Sequence, residues 1–120
     1  MPVTEASDKT MAPQHIIRLN TTIHSPVRLA VLSILISVEH ADFNYLKTTT
    51  GTTDGNLSTH LNKLQRAGLI RIKKSFRNKK PLTTCSITEK GKKEFSDYLQ
   101  NLEQIIHHDE KESGPHEEKH

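Results

Sequence analysis

Between Gly55 and Thr88 stand eight cationic side chains, Lys63, Arg66, Arg71, Lys73, Lys74, Arg77, Lys79 and Lys80, and not one Asp or Glu. The chemistry open to them is the binding of a polyanion. A solvated surface normally mixes both signs, so a one-sign block of this length reads as an electrostatic footprint. Residues 1–54 sum to −1, residues 55–88 to +8 and residues 89–120 to −4. The formal net charge of +3 therefore conceals a concentrated basic patch.

A second pattern points to different chemistry. His116-Glu117-Glu118-Lys119-His120 has the H-E-x-x-H spacing in which two His one helical turn apart hold zinc and the Glu activates water. That arrangement needs a helix to set the spacing and an apolar shell to close the site. Here Gly114-Pro115 precedes it and the surroundings are charged, so it reads as a chance match. No metal site and no cofactor are assigned. His107, His108 and Asp109 read as a polar helix end. The sequence holds no Gly-rich phosphate loop, nucleophile elbow or convergent acid–base pair, and no enzymatic activity is expected. Cys85, the single cysteine, cannot close an internal disulfide and reads as a small buried hydrophobe in a strand.

The elements that must position the basic block follow from local patterns. With 120 residues and a hydrophobic fraction of 32%, the chain reads as one domain with tails, its core concentrated in the middle. Residues 1–13 and 108–120 are expected to be disordered, the second of these a charged C-terminal tail, and residues 14–107 to form the domain. No apolar run is long enough to span a membrane, and the first ten residues are polar and acidic where a signal peptide would be basic and then apolar. The expectation is a cytoplasmic protein with no membrane association.

Ser25-Pro26 reads as a helix start, and the apolar run from Val27 to Val38 as a central helix buried on most sides. Asp42 is expected to cap a short second helix to about Thr49 with Phe43 and Leu46 inward. After Thr50-Gly51-Thr52, Thr53 caps a third helix that ends at Gly68. Leu57, Leu61 and Leu64 place its inner face, leaving Gly55, Asn56, Ser58, Thr59, Asn62, Lys63 and Arg66 outward. Two helices joined by a Gly-containing turn, the second presenting small polar and amide side chains, form the helix-turn-helix pattern. From Ile70 the period changes to 2: Ile70, Ile72 and Phe76 alternate with Arg71, Lys73 and Ser75. A polar turn over residues 77–81 then leads to a Thr-rich strand ending at Ile87. Thr88 caps a last helix to roughly His107. Its apolar stripe of Phe95, Tyr98, Leu99, Leu102, Ile105 and Ile106 is wider than a small core can cover, so part of it needs a partner. The fold class is α+β, mainly α.

The segment Asn56-Leu57-Ser58-Thr59-His60-Leu61-Asn62-Lys63-Leu64-Gln65-Arg66-Ala67-Gly68-Leu69-Ile70 resembles the recognition helix of ArsR-type winged-helix repressors. Ile87-Thr88-Glu89-Lys90-Gly91 after a basic hairpin resembles the wing exit of MarR-type regulators. With His24-Ser25-Pro26-Val27-Arg28-Leu29, residues 16–106 resemble the small stand-alone winged helix-turn-helix transcriptional regulators of the MarR/ArsR type. The chain departs from the pattern in two places: its hairpin lacks the acidic residue common in MarR wings, and the paired-cysteine box of ArsR metal sensors is absent.

The resemblance implies a sequence-specific regulator of double-stranded DNA with a two-stranded β-hairpin wing and terminal dimerisation helices. Helix 53–67 would enter the major groove, where Asn, Ser, Thr and Lys side chains can meet base edges. Asn56, Ser58, Thr59, Asn62 and Lys63 are the candidate groove contacts, with Arg66 on the same face and Gly55 allowing close backbone approach to a phosphate. The wing, residues 71–87, would lie on the minor groove or backbone through Arg77, Lys79 and Lys80. His60, near the inner face, reads as packing or a phosphate donor. Ile16, Ile17 and Leu19, with Phe95, Tyr98, Leu99, Leu102, Ile105 and Ile106, would pair across a two-fold axis, giving a homodimer on a near-palindromic operator. The alternatives are a winged-helix module for protein or RNA, or an ArsR-like repressor responsive to a metal or ligand. The residues name no small-molecule effector.

Overall fold

The computed structural model describes residues 19–112. The expectations for residues 1–13, for Ile16 and Ile17, and for the His116–His120 motif lie outside them. The chain divides into two compact units, Thr21–Phe95 and one that joins the two ends.

In the first unit each helix begins where a side-chain oxygen can satisfy an orphan N–H. Helix α1, Pro26–Val38, is capped by Ser25, whose hydroxyl accepts from the Arg28 amide, with Pro26 at the first helical position. Glu39, at φ 70, stops it while its N–H bonds the Leu35 carbonyl at 2.9 Å. Val31, Leu32 and Leu35 are buried, but Ile36 and Val38 are exposed, so α1 is less enclosed than its composition suggests. Strand β1, His40–Asp42, follows at once. Its last residue caps helix α2, Phe43–Thr50, through a 2.8 Å bond from the Tyr45 amide to the Asp42 carboxylate. Leu46 is buried, Phe43 half-buried.

Gly51, at φ 72, ends α2 in the left-handed conformation. Thr53 then caps helix α3, Asp54–Arg66, accepting from the Asn56 amide at 3.2 Å. Leu57, Leu61 and Leu64 are buried on its inner side. The helix ends in a Schellman motif: Gly68 lies at φ 80, its N–H bonds the Gln65 carbonyl at 2.9 Å, and the Leu69 N–H bonds the Leu64 carbonyl at 3.0 Å.

Strands β2, Ile70–Arg77, and β3, Lys80–Ile87, form an antiparallel hairpin. The sheet has three strands in the order β1-β3-β2, with Ala41 opposite Cys85. The turn is tighter than the polar run 77–81: Arg77 already pairs with Lys80, and only Asn78 and Lys79, at φ 53 and 66, lie between them. Positive φ at both central residues is the mark of a type I′ turn, whose twist matches the strands it joins.

Helix α4, Glu89–Glu112, starts against the α3–β2 junction. The Thr88 hydroxyl donates to the Gly68 carbonyl at 2.7 Å and accepts from the Gly91 amide at 2.9 Å. Lys90 Nζ donates to the Ala67 carbonyl at 2.9 Å, a cation on the negative end of α3. A Cβ on Gly91 would collide with the Leu69 carbonyl oxygen and stand 2.8 Å from Ile87 Cγ1, so this helical position has room only for glycine.

The second unit takes its described part from residues 19–20 and 96–112. Leu19 and Tyr98 are buried there, whereas Leu99 and Ile106 are 45% and 51% exposed. The helix runs on to Glu112, into the stretch read as tail, because residues 108–112 contain neither Gly nor Pro to stop it.

Candidate nucleic-acid interface

The outward face of α3 and the hairpin belong to one unit, with α3 packed against β2. Gly55, Asn56, Ser58, Thr59, Asn62, Lys63 and Arg66 are all exposed on α3. Local bonds narrow the chemistry of this face. The Thr59 hydroxyl donates its proton to the Gly55 carbonyl at 3.0 Å, which leaves it an acceptor toward a ligand. Asp54 at the first helical position pairs with Lys47 at 2.8 Å, so the positive end of α3 already faces a carboxylate of the same chain. What remains to Gly55 is steric: nothing lies within 4 Å of a Cβ placed there, and a backbone phosphate could come close.

His60 faces the other way. It is half-buried, with Nδ1 2.9 Å from Arg28 Nη1. The same guanidinium donates through Nε to the Thr22 carbonyl and through Nη2 to the Thr21 carbonyl at 3.4 Å. A guanidinium only donates, so Nδ1 accepts and the neutral ring carries its proton on Nε2. Partial burial, then the charges of Arg28 and Lys63, hold the His60 pKa below its ordinary 6.5. Arg28 is a residue whose positioning role the sequence did not reveal. Its only local signal was its place three residues after the Ser25 cap.

At the hairpin, Arg71, Lys73, Lys74, Arg77, Lys79 and Lys80 are all exposed. Arg77 and Lys80 stand directly across from each other, a like-charge pair that weakens a hairpin. Lys79 sits in the left-handed region, which a residue with a Cβ adopts at a cost of about 1–2 kcal/mol. The tip thus concentrates positive charge at the expense of its own stability. Phe76, read as alternating along the strand with Ile70 and Ile72, shares their strand face but lies beyond the core and is 74% exposed.

The remaining candidates sort by burial. Phe95, Tyr98 and Leu19 are buried within the single chain, Leu102 and Ile105 are half-buried, and Leu99 and Ile106 are exposed. Cys85 is fully buried and burial pushes its thiol up to about 11, which removes it from reactive chemistry at neutral pH. Among the described residues no group of three or more His, Cys, Asp and Glu could hold a metal ion, and no helix is long and apolar enough to cross a membrane.

Comparison with known proteins matches this geometry. The family model of the winged helix DNA-binding domain covers residues 27–106. Over 82 residues, 68% of the chain, the sequence is 39% identical to an uncharacterized protein of Methanocaldococcus jannaschii, of which 89% is covered. The structure of the transcriptional regulator homologue protein from Pyrococcus horikoshii OT3 superposes with a TM-score of 0.73 at 28% identity, over 81% of this chain and 95% of that one. A MarR family transcriptional regulator from Silicibacter pomeroyi shares the fold, with a TM-score of 0.58 at 14% identity over 98% of this chain and 78% of its own. The fold implied by the resemblance to MarR- and ArsR-type regulators is thus matched in three dimensions. With its recognition-type helix, its basic hairpin and a family match over most of its length, the chain belongs to the winged helix DNA-binding domain family.

Proposed function

We propose that this protein is a transcriptional regulator that binds double-stranded DNA sequence-specifically as a homodimer. Helix α3 lies in the major groove, where Asn56, Asn62, Ser58, Thr59 and Lys63 meet base edges and Arg66 meets a phosphate. Arg77, Lys79 and Lys80 bring the wing onto the adjacent minor groove or its phosphates. The observation that carries this reading is that all eight cations of residues 55–88 are solvent-exposed within one compact unit, with no acid among them.

Dimerisation rests on the apolar surface that the chain leaves open. Leu99 and Ile106 are exposed on α4, with Leu102 and Ile105 half-covered between them. A second copy pairing there would set two recognition helices about one DNA turn apart, roughly 34–36 Å, and make the operator a near-palindrome.

Selection of duplexes from a randomised pool by the purified protein tests the reading. The expected product is a near-palindromic site bound far more tightly than random duplex, with affinity falling steeply as salt rises. Equal retention of every sequence, or preference for RNA over duplex DNA, would overturn it.

A further inference from the structure

Phe76 is the most exposed large hydrophobic side chain among the described residues, at 74%. It sits one residue before the end of β2, opposite Pro81, two strand positions from the tight Asn78–Lys79 turn. Strand alternation places it on the same face as Ile70 and Ile72, and β2 is the strand against which α3 packs. Around it in sequence and register stand Lys74, Arg77, Lys79 and Lys80, with no acid in the block. A ring that shares its strand face with Lys74, at a tip whose other face carries Arg77 and Lys80, suits a ligand that combines dense negative charge with flat apolar faces. A protein partner would have to bring carboxylates and an apolar patch together at one spot. A nucleic acid offers phosphates and base faces together, at the spacing of one nucleotide.

We infer that Phe76 is a DNA-contacting residue of the wing, entering the minor groove and wedging against a base step beside the site held by α3. The inference rests on the duplex-DNA reading above. Apolar wedges of this kind partly unstack a step and kink the duplex, and they do so most easily at pyrimidine–purine steps. Phe76 would therefore add specificity at a position that hydrogen bonds do not read: operators should carry TA or CA/TG where the wing lands. It also gives the strained, like-charged tip a use beyond phosphate contact, because the ring stands two residues from the turn that ends the hairpin.

The chain contains no Trp, so Phe76→Trp introduces a single fluorescent reporter. The probe is a duplex recovered by the wild-type protein from a randomised pool. The Phe76→Trp emission should be quenched on saturation with that duplex. Phe76→Ala should weaken its binding about tenfold, the scale of one lost base–aromatic contact, with the salt slope unchanged because no charge is lost. Replacing the pyrimidine–purine step under the wing should weaken wild-type binding and leave Phe76→Ala nearly indifferent.

Unchanged affinity of Phe76→Ala together with a lowered Tm would assign the ring to cross-strand packing on Pro81 and overturn the inference. So would Phe76→Trp emission that changes with protein concentration alone, the signature of a second copy over the ring, or that responds to anionic phosphatidylserine vesicles and not to the duplex. A wild-type protein that binds no duplex would overturn the DNA reading itself. Wild-type binding with a silent Phe76 overturns only this inference.

Discussion

Arg28 Nη1 stands 2.9 Å from His60 Nδ1, joining the first turn of α1 to the inward side of α3. The same guanidinium also holds the Thr21 and Thr22 carbonyls, so one side chain ties the approach to α1 to the candidate reading helix. The bond exists only while His60 is neutral.

That condition gives a pH dependence with a definite sign. The folded pKa of His60 lies below 6.5, through partial burial and the nearby Arg28 and Lys63 charges. The unfolded chain therefore takes up the proton first as pH falls, and binds more protons than the folded chain below about pH 6.5. The stability from this pair is complete above that value and is lost progressively as pH falls from it toward the folded pKa. Thermal melts from pH 8 to 5 should show the wild type losing more Tm below pH 6.5 than His60→Gln does. Parallel curves for the two proteins would refute the linkage.

Gly91→Ala tests how the wing exit is locked to α3. The new methyl would meet the Leu69 carbonyl oxygen and Ile87 Cγ1, and backbone cannot yield as a flexible side chain can. Overpacking of this kind should cost about 3 kcal/mol, or about 12 °C or more in Tm. A variant melting within about 2 °C of wild type would show that the junction relaxes freely.

Lys79→Gly should separate stability from binding. Glycine removes the left-handed strain at φ 66, so the hairpin should gain about 1 kcal/mol and the Tm rise by about 5 °C. Binding to all duplexes should weaken together, with the salt slope shallower by about 0.9 for the lost phosphate contact. A lower Tm would contradict the strain, and an unchanged slope would contradict the contact.

Leu99→Asp combined with Ile106→Asp addresses assembly. Both side chains are exposed in the single chain, so the change should leave the helical circular dichroism intact while abolishing self-association. Sedimentation equilibrium at micromolar concentration should find a wild-type dimer and a monomeric double variant. A monomeric wild type, or a variant that remains dimeric, would remove the proposed seam.

The helix starts were legible because each rests on a short chemical signal: Ser25 before Pro26, Asp42, Thr53 and Thr88 all act as caps. The inner face of α3 was legible for the same kind of reason, since Leu57, Leu61 and Leu64 repeat at helical spacing and are buried. Strand β1 was not. It has three residues, its last is also the cap of α2, and its pairing with Thr84–Ser86 is written in no local period. Alternation assigned Phe76 to a strand face without revealing that the hairpin outruns the core there. The apolar stripe of α4 likewise could not separate what the chain covers itself, Phe95 and Tyr98, from what it leaves open, Leu99 and Ile106. Arg28 was silent because its partners are a histidine in another helix and two loop carbonyls.

The most direct measurement compares Asn62→Ala with the pair Lys79→Ala and Lys80→Ala on a selected duplex and on random duplex, each across a range of salt. Asn62 is exposed on α3 and the two lysines are exposed at the wing tip. If α3 reads bases and the wing holds phosphates, Asn62→Ala should cost about 1–3 kcal/mol on the selected duplex and almost nothing on random DNA. The lysine variants should weaken both alike and flatten the salt slope by about 0.9 per lost contact. Equal weakening of both duplexes by Asn62→Ala would contradict the central claim that this helix is the reader.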